Sequence, residues 1–139
     1  MEHTMISVQA TVDSPIEKVW NLWTSPEHII HWNNASDDWH TPRAENDLKV
    51  GGKFSCRMES RDGTMGFDFG GTYDIVLPRE KIGYTMDDGR KVIIEFTILD
   101  NHTHLLETFE AETQNAAELQ QQGWQSILDN FKKYAEQQA

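Results

Sequence analysis

Residues 31–42, HWNNASDDWHTP, crowd His31, Asp37, Asp38 and His40 into one short span, with Trp32 and Trp39 among them. Imidazoles and carboxylates together can bind a metal or exchange protons, and paired indoles can close over an apolar ligand. A zinc site needs three or four ligands converging at about 2 Å. His28 and His31 stand i, i+3, and His102 and His104 alternate along a strand, yet no tight ligand motif joins any of these groups. Histidines at the surface near turns account for the pattern, and no metal or cofactor is expected. Nucleophilic chemistry is weaker still. Cys56 alternates with Phe54 and Met58 on an apolar face, the setting of an inert cysteine. The chain has no Gly-x-Ser-x-Gly elbow, and neither Gly-Gly pair leads into a phosphate loop.

The elements that must position these residues are legible from periodicity. Residues 6–12 alternate Ile6, Val8, Ala10 and Val12, a half-buried strand. Ser14, Pro15 and Glu17 then read as a capping box opening a helix whose Ile16, Val19, Trp20 and Trp23 share one face. Ser25-Pro26 starts a second short helix, and the 31–42 stretch follows as a loop. From residue 50 the period becomes two. KFSCRMES, MGFDFGGTYDIVL, KIGYTM, KVIIEFTIL and HLLETFEAE are separated by short turns such as Asp62-Gly63 and Asp88-Gly89, which predicts an antiparallel meander. Gly70-Gly71 suggests a bulge or bend. A final helix capped by Asn115 carries Trp124, Ile127, Leu128, Phe131 and Tyr134 on one stripe, with Gly123 beside it.

The expected fold is therefore α+β: a curved six-stranded antiparallel sheet wrapped around a long C-terminal helix, with two short helices after the first strand, as one domain over 1–139. The long helix, of about 20 residues and about 30 Å, is the only element able to cover the sheet. A curved sheet gripping one helix tends to leave a cavity between them. At 139 residues with 25% charged and 37% hydrophobic side chains the composition is that of a soluble protein. A net charge of −11 disfavours nucleic acid and anionic membranes as partners. One cysteine allows no intrachain disulfide, no apolar run reaches a membrane span, and the start lacks a signal-peptide pattern. A cytoplasmic protein is expected.

Within that frame the cavity candidates are mostly aromatic. Trp20, Phe54, Phe67, Phe69, Tyr73, Tyr84, Phe96, Trp124 and Phe131 are many for one small core, and Met58 and Ile127 share their faces. Trp32 and Trp39 flank a polar loop and read as a gate at the mouth, with Asp38 and His40 as polar contacts. Gly123 omits a side chain that would face the sheet. Glu107 shares its strand face with Thr103, Leu105 and Phe109, so an inward Phe109 brings a carboxyl into the cavity. The opposite register would put Leu106 inward and Glu107 in water.

Four segments in this order, SPIEKVWNLWTSPEHIIHW, VGGKF, GTYDIVLPREKIGYTM and QGWQSILDNFKKY, resemble the family of homologues of the activator of the 90-kDa heat-shock-protein ATPase, in the START-like (SRPBCC) helix-grip superfamily. The resemblance spans about residues 5 to 136. It implies a hydrophobic cavity between helix and sheet, used in the superfamily for lipids, sterols, polyketides and flavonoid-like molecules, and by some members for catalysis such as polyketide cyclisation. The eukaryotic co-chaperone has an additional N-terminal domain for which this chain has no room, so a chaperone partner is possible but the sequence does not support it. The expectation is a binder of a small hydrophobic ligand. The alternatives are a cyclase- or hydrolase-type enzyme using Glu107 with His40 or Tyr84, and a protein-interaction module.

Overall fold

The computed structural model describes residues 4–138. The chain runs β1 (Met5–Val12), α1 (Ile16–Thr24), α2 (Pro26–Trp32), β2 (Trp39–Asn46), β3 (Lys53–Ser60), β4 (Gly66–Leu77), β5 (Lys81–Met86), β6 (Lys91–Leu99), β7 (His102–Glu110) and α3 (Ala117–Gln137). All strands pair antiparallel in one curled sheet of order β1-β7-β6-β5-β4-β3-β2. The meander read from the sequence is present, and β1 closes on β7 at the far edge. The sheet has seven strands rather than six. The extra strand, β2, has no alternating apolar pattern and contains Pro42, and its register with β3 shifts between His40 and Arg43. A proline lacks the amide hydrogen that a central strand must donate, so it is tolerated at an edge or an irregularity, and β2 supplies both.

Side-chain caps expected from the sequence are not made. Helix α1 begins after Pro15, and α2 and α3 also start without side-chain cap hydrogen bonds. Ser14 is buried and its carbonyl accepts from Thr103 Oγ1 at 2.9 Å, Ser25 Oγ donates to Asn21, and Asn115 donates to Glu112. Ser14 thus ties the start of α1 to β7, while Ser25 and Asn115 bond nearby residues instead of closing helix ends. Gly70 and Gly71 keep the β3–β4 pairing unbroken, and the irregularity on β4 comes later, between Tyr73 and Ile75. A Cβ at Gly71 would lie 2.5 Å from the carbonyl oxygen of Thr85, so glycine there permits close strand approach rather than a bulge.

The core lies between α3 and the concave face of the sheet. Val8, Val92, Ile94, Leu105 and Phe109 supply the sheet side, and Leu128, Phe131 and Ala135 the helix side. The alternation of β7, with Thr103, Leu105, Glu107 and Phe109 all buried, fixes which face is inward. Among the described residues no helix is long and apolar enough to cross a membrane.

Candidate functional site

A cavity of about 360 Å³ lies between α3 and the sheet. Helix α3 covers β1 and leaves the β3–β5 part of the concave face less filled. Trp124 spans the gap: its ring stacks on Phe109 at 3.9 Å and meets Phe69 edge-on at 6.2 Å. Phe54 sits among Phe69, Tyr73 and Tyr84 at 4.7 to 5.8 Å between ring centroids. Ile127, Met58 and Phe67 complete the apolar wall expected from the sequence, and Phe67 is half exposed.

Trp32 also lines the cavity, but from within the core rather than as a mobile gate. It is the last residue of α2, 4% exposed, stacked on Trp23 at 4.7 Å and edge-on to Phe131 at 4.9 Å. Its indole N–H donates to the Leu22 carbonyl at 3.0 Å. Trp20, Phe96 and Phe131 belong to the packing behind this end and do not face the cavity space.

Asp38, Trp39 and His40 are not brought into the cavity. The unexpected strand β2 carries Trp39 and His40 to the sheet edge. Trp39 meets Phe67 at 5.9 Å between ring centroids, and His40 Nε2 lies 4.0 Å from Glu59 on the neighbouring strand. Asp38 is exposed and contributes its backbone carbonyl, which accepts from the Arg61 amide at 2.8 Å. The other histidines among the described residues are dispersed: His28 bonds Tyr134, His31 stacks on it, and His102 and His104 meet Asp13 and Thr11.

Gly123 is beside the cavity lining rather than in it. A Cβ built there meets nothing within 4 Å. No close packing requires glycine at this point of the helix. Gly123→Ala is expected to raise stability by about 0.5 to 1 kcal/mol through backbone entropy alone. A lower urea midpoint for the variant would show that the site tolerates no methyl group.

The polar content of the cavity is small and specific. Glu107 is 6% exposed, and no group among the described residues hydrogen-bonds its carboxyl, whose oxygens border the cavity space. Loss of hydration alone pushes its pKa up to about 8. Tyr84 is buried and its phenol is held well above its usual range, by burial first and then by the nearby Glu107. Near neutral pH Glu107 is mostly a carboxylic acid, able to donate a hydrogen bond or to surrender a proton to a basic partner. Cys56 is pushed up to about 11 by burial, so it remains a thiol.

Some lining groups are not among those expected from the sequence. Asn46 lies on the unpatterned β2, where it accepts from the Tyr73 phenol at 2.5 Å and donates to the Thr24 carbonyl at 2.6 Å. This chain of bonds fastens β4 to β2 and α1. Gln120 joins the loop after β7 to α3, accepting from the Glu112 amide at 2.9 Å and donating to the Asn115 carbonyl at 2.8 Å. Its place four residues before Trp124, on the same helical stripe, is the signal that could have found it. Trp23 had such a signal too, on the apolar face of α1.

Comparison with known proteins agrees with this architecture. No curated protein matches the chain. An AHSA1-like protein from Aeromonas hydrophila, solved in solution, is 46% identical, with a TM-score of 0.90 over 96% of this chain and 92% of that one. A protein from Cytophaga hutchinsonii is 52% identical, with a TM-score of 0.82 over 94% and 91%. A Chromobacterium violaceum protein shares the fold at 22% identity, with a TM-score of 0.85 over 96% and 98%. The family model described as activator of Hsp90 ATPase homolog 1-like protein matches residues 13–136, and the chain belongs to that family.

Proposed function

We propose that the protein binds a small, largely apolar molecule in the cavity between α3 and the sheet. The observation that carries this reading is the unfilled space of about 360 Å³, walled by aromatic rings and bordered by a buried, unpartnered carboxyl. Folded cores are packed to near-crystalline density, so an apolar cleft of this size running into one forgoes dispersion contacts that a ligand would restore. An apolar pocket with few polar anchors is the usual form of a small-molecule site. The walls are contributed by Phe54, Phe69, Tyr84, Trp124 and Ile127, and Glu107 is the anchor. The cytoplasm is the compartment that suits an acidic chain with a single cysteine.

A neutral fluorescent probe, N-phenyl-1-naphthylamine, tests the reading together with a panel of neutral two- and three-ring hydrocarbons followed by chemical shift. Saturable binding is expected, with shifts concentrated at Phe54, Trp124 and Ile127. Ile127→Trp places a larger side chain in the void and should weaken binding tenfold or more, while the thermal midpoint changes little. No saturable binding by any member of the panel would overturn the proposal, as would unchanged affinity in a folded Ile127→Trp protein.

A further inference from the structure

We propose that the molecule this cavity takes carries a basic amine on its apolar body, and that Glu107 is the group that receives it. The inference rests on the cavity being a binding site and names the chemical class of what enters.

Glu107 has an apolar frame on the sheet itself. Ile94 on β6 and Val8 on β1 are its cross-strand neighbours, so neither strand offers it a polar partner. The ionisable groups that share the cavity are Tyr84, Tyr73, Cys56, Arg90, Glu45 and Glu112. The first three are held in their neutral forms by burial. Two of the others are carboxylates. Arg90 is the single cation, and it is already engaged: Nε donates to Asp88 at 2.8 Å and Nη1 to the Glu110 carbonyl at 3.2 Å. The helices facing the cavity contribute Gln120, Trp124 and Trp23, none of them charged. The carboxyl therefore lies in an environment rich in acids and π faces that contains no free positive charge.

A ligand amine meets each of these features. It supplies the partner that Glu107 lacks, the aromatic walls attract a cation through their ring quadrupoles, and the net charge of −11 draws cations toward the protein. A carboxylate ligand would meet Glu45 and Glu112 with like charge and would give a neutral Glu107 no electrostatic gain. An alcohol or ketone would find one hydrogen bond and no electrostatic gain. The proton balance is definite. In solution the amine carries its proton and Glu107 carries its own. In the complex the nitrogen and the carboxyl share one proton, wherever it resides between them, and the other goes to solvent.

Three probes with the same naphthalene body test this: 2-(1-naphthyl)ethylamine, 2-(1-naphthyl)ethanol and 1-naphthylacetate, titrated calorimetrically at pH 7 in phosphate and in HEPES. The amine is expected to bind the native protein at least tenfold more tightly than the alcohol, and Glu107→Gln should abolish that preference. The difference in heat between the two buffers should report release of about 0.9 proton per amine bound, given a carboxyl titrating at about 8. The alcohol should release none. Proton release is read on the native protein, so the test does not depend on the variant folding. Equal affinity for amine and alcohol, tighter binding of the acid, or a preference that survives in Glu107→Gln would each overturn the amine while leaving an apolar site in place. Failure of all three probes to bind would remove the site itself, and the amine with it.

Discussion

Glu107→Gln is expected to stabilise the unliganded protein at pH 7 by on the order of 3 kcal/mol, and to flatten the dependence of stability on pH. The carboxyl is raised from 4.5 to about 8 by burial without a compensating bond. Below about pH 4.5 the group is protonated in both folded and unfolded chains and contributes no pH-dependent term. Between there and pH 8 the unfolded chain ionises while the folded one holds its proton. Each pH unit in that window costs the folded state about 1.4 kcal/mol. Above pH 8 both forms are ionised and the penalty levels off. The glutamine keeps the shape and removes the charge, so the gap between variant and native protein should open across this window and then remain constant. Urea denaturation at pH 4.5, 6, 7 and 9 measures it. A gap independent of pH would mean that the carboxyl titrates as it does in water.

That a protein should keep such a group is informative. A buried acid without a partner lowers stability near neutrality, and a glutamine or leucine would remove the cost. Residues retained at the expense of stability concentrate where binding or chemistry occurs. Glu107 borders the apolar cavity between α3 and the sheet, which is the reason to assign it to the ligand rather than to the fold.

How much of this was legible in the sequence varies with the physics involved. Strands β3 to β7 announce themselves because one face is buried and the other wet, so their alternation carries the register. The inward position of Glu107 followed from Phe109 by the same period of two, and the described structure has both buried. Strand β2 was illegible because an edge strand need not alternate: Thr41 is its one buried residue, and it holds a proline. Missing it misplaced Trp39 and His40, which a loop could have folded over the cavity but a paired strand cannot. Trp32 was misjudged for a different reason. Its sequence neighbours are polar, yet it is the last residue of a helix whose apolar side it completes. Ser14, Ser25 and Asn115 show the limit of capping signals, since the Ser14 carbonyl found a tertiary use and the Ser25 and Asn115 side chains found other local partners instead. Asn46 acts through bonds between distant segments, and nothing local distinguishes it from a surface amide.

The two tryptophans read as a pair from the sequence should separate widely when truncated. Trp32→Ala removes a ring packed on Trp23 and Phe131, opens a void at the closed end of the cavity and leaves the buried Leu22 carbonyl without its donor. Large aromatic truncations in a core cost about 3 to 5 kcal/mol, and an orphaned buried acceptor adds to the effect. The Trp32 carbonyl also accepts from Asn130 Nδ2 at 2.8 Å, so loosening the end of α2 weakens its tie to α3. Trp39 makes no buried hydrogen bond and is only partly buried at the margin of the core. Its ring contact is with Phe67, itself half exposed, and it is the first residue of an edge strand. Trp39→Ala should cost under about 1.5 kcal/mol, in the range of an ordinary partly exposed substitution. Ligand measurements divide them in the same way. Trp39→Phe is expected to leave the affinity for N-phenyl-1-naphthylamine within twofold of the native value, because Phe67 lines the cavity and Trp39 does not. Trp32→Phe keeps a ring in the wall but loses the indole donor, so its main expected effect is on the urea midpoint. Equal losses of stability in the two alanine variants would contradict this division, and a tenfold loss of probe affinity in Trp39→Phe would return Trp39 to the mouth of the site.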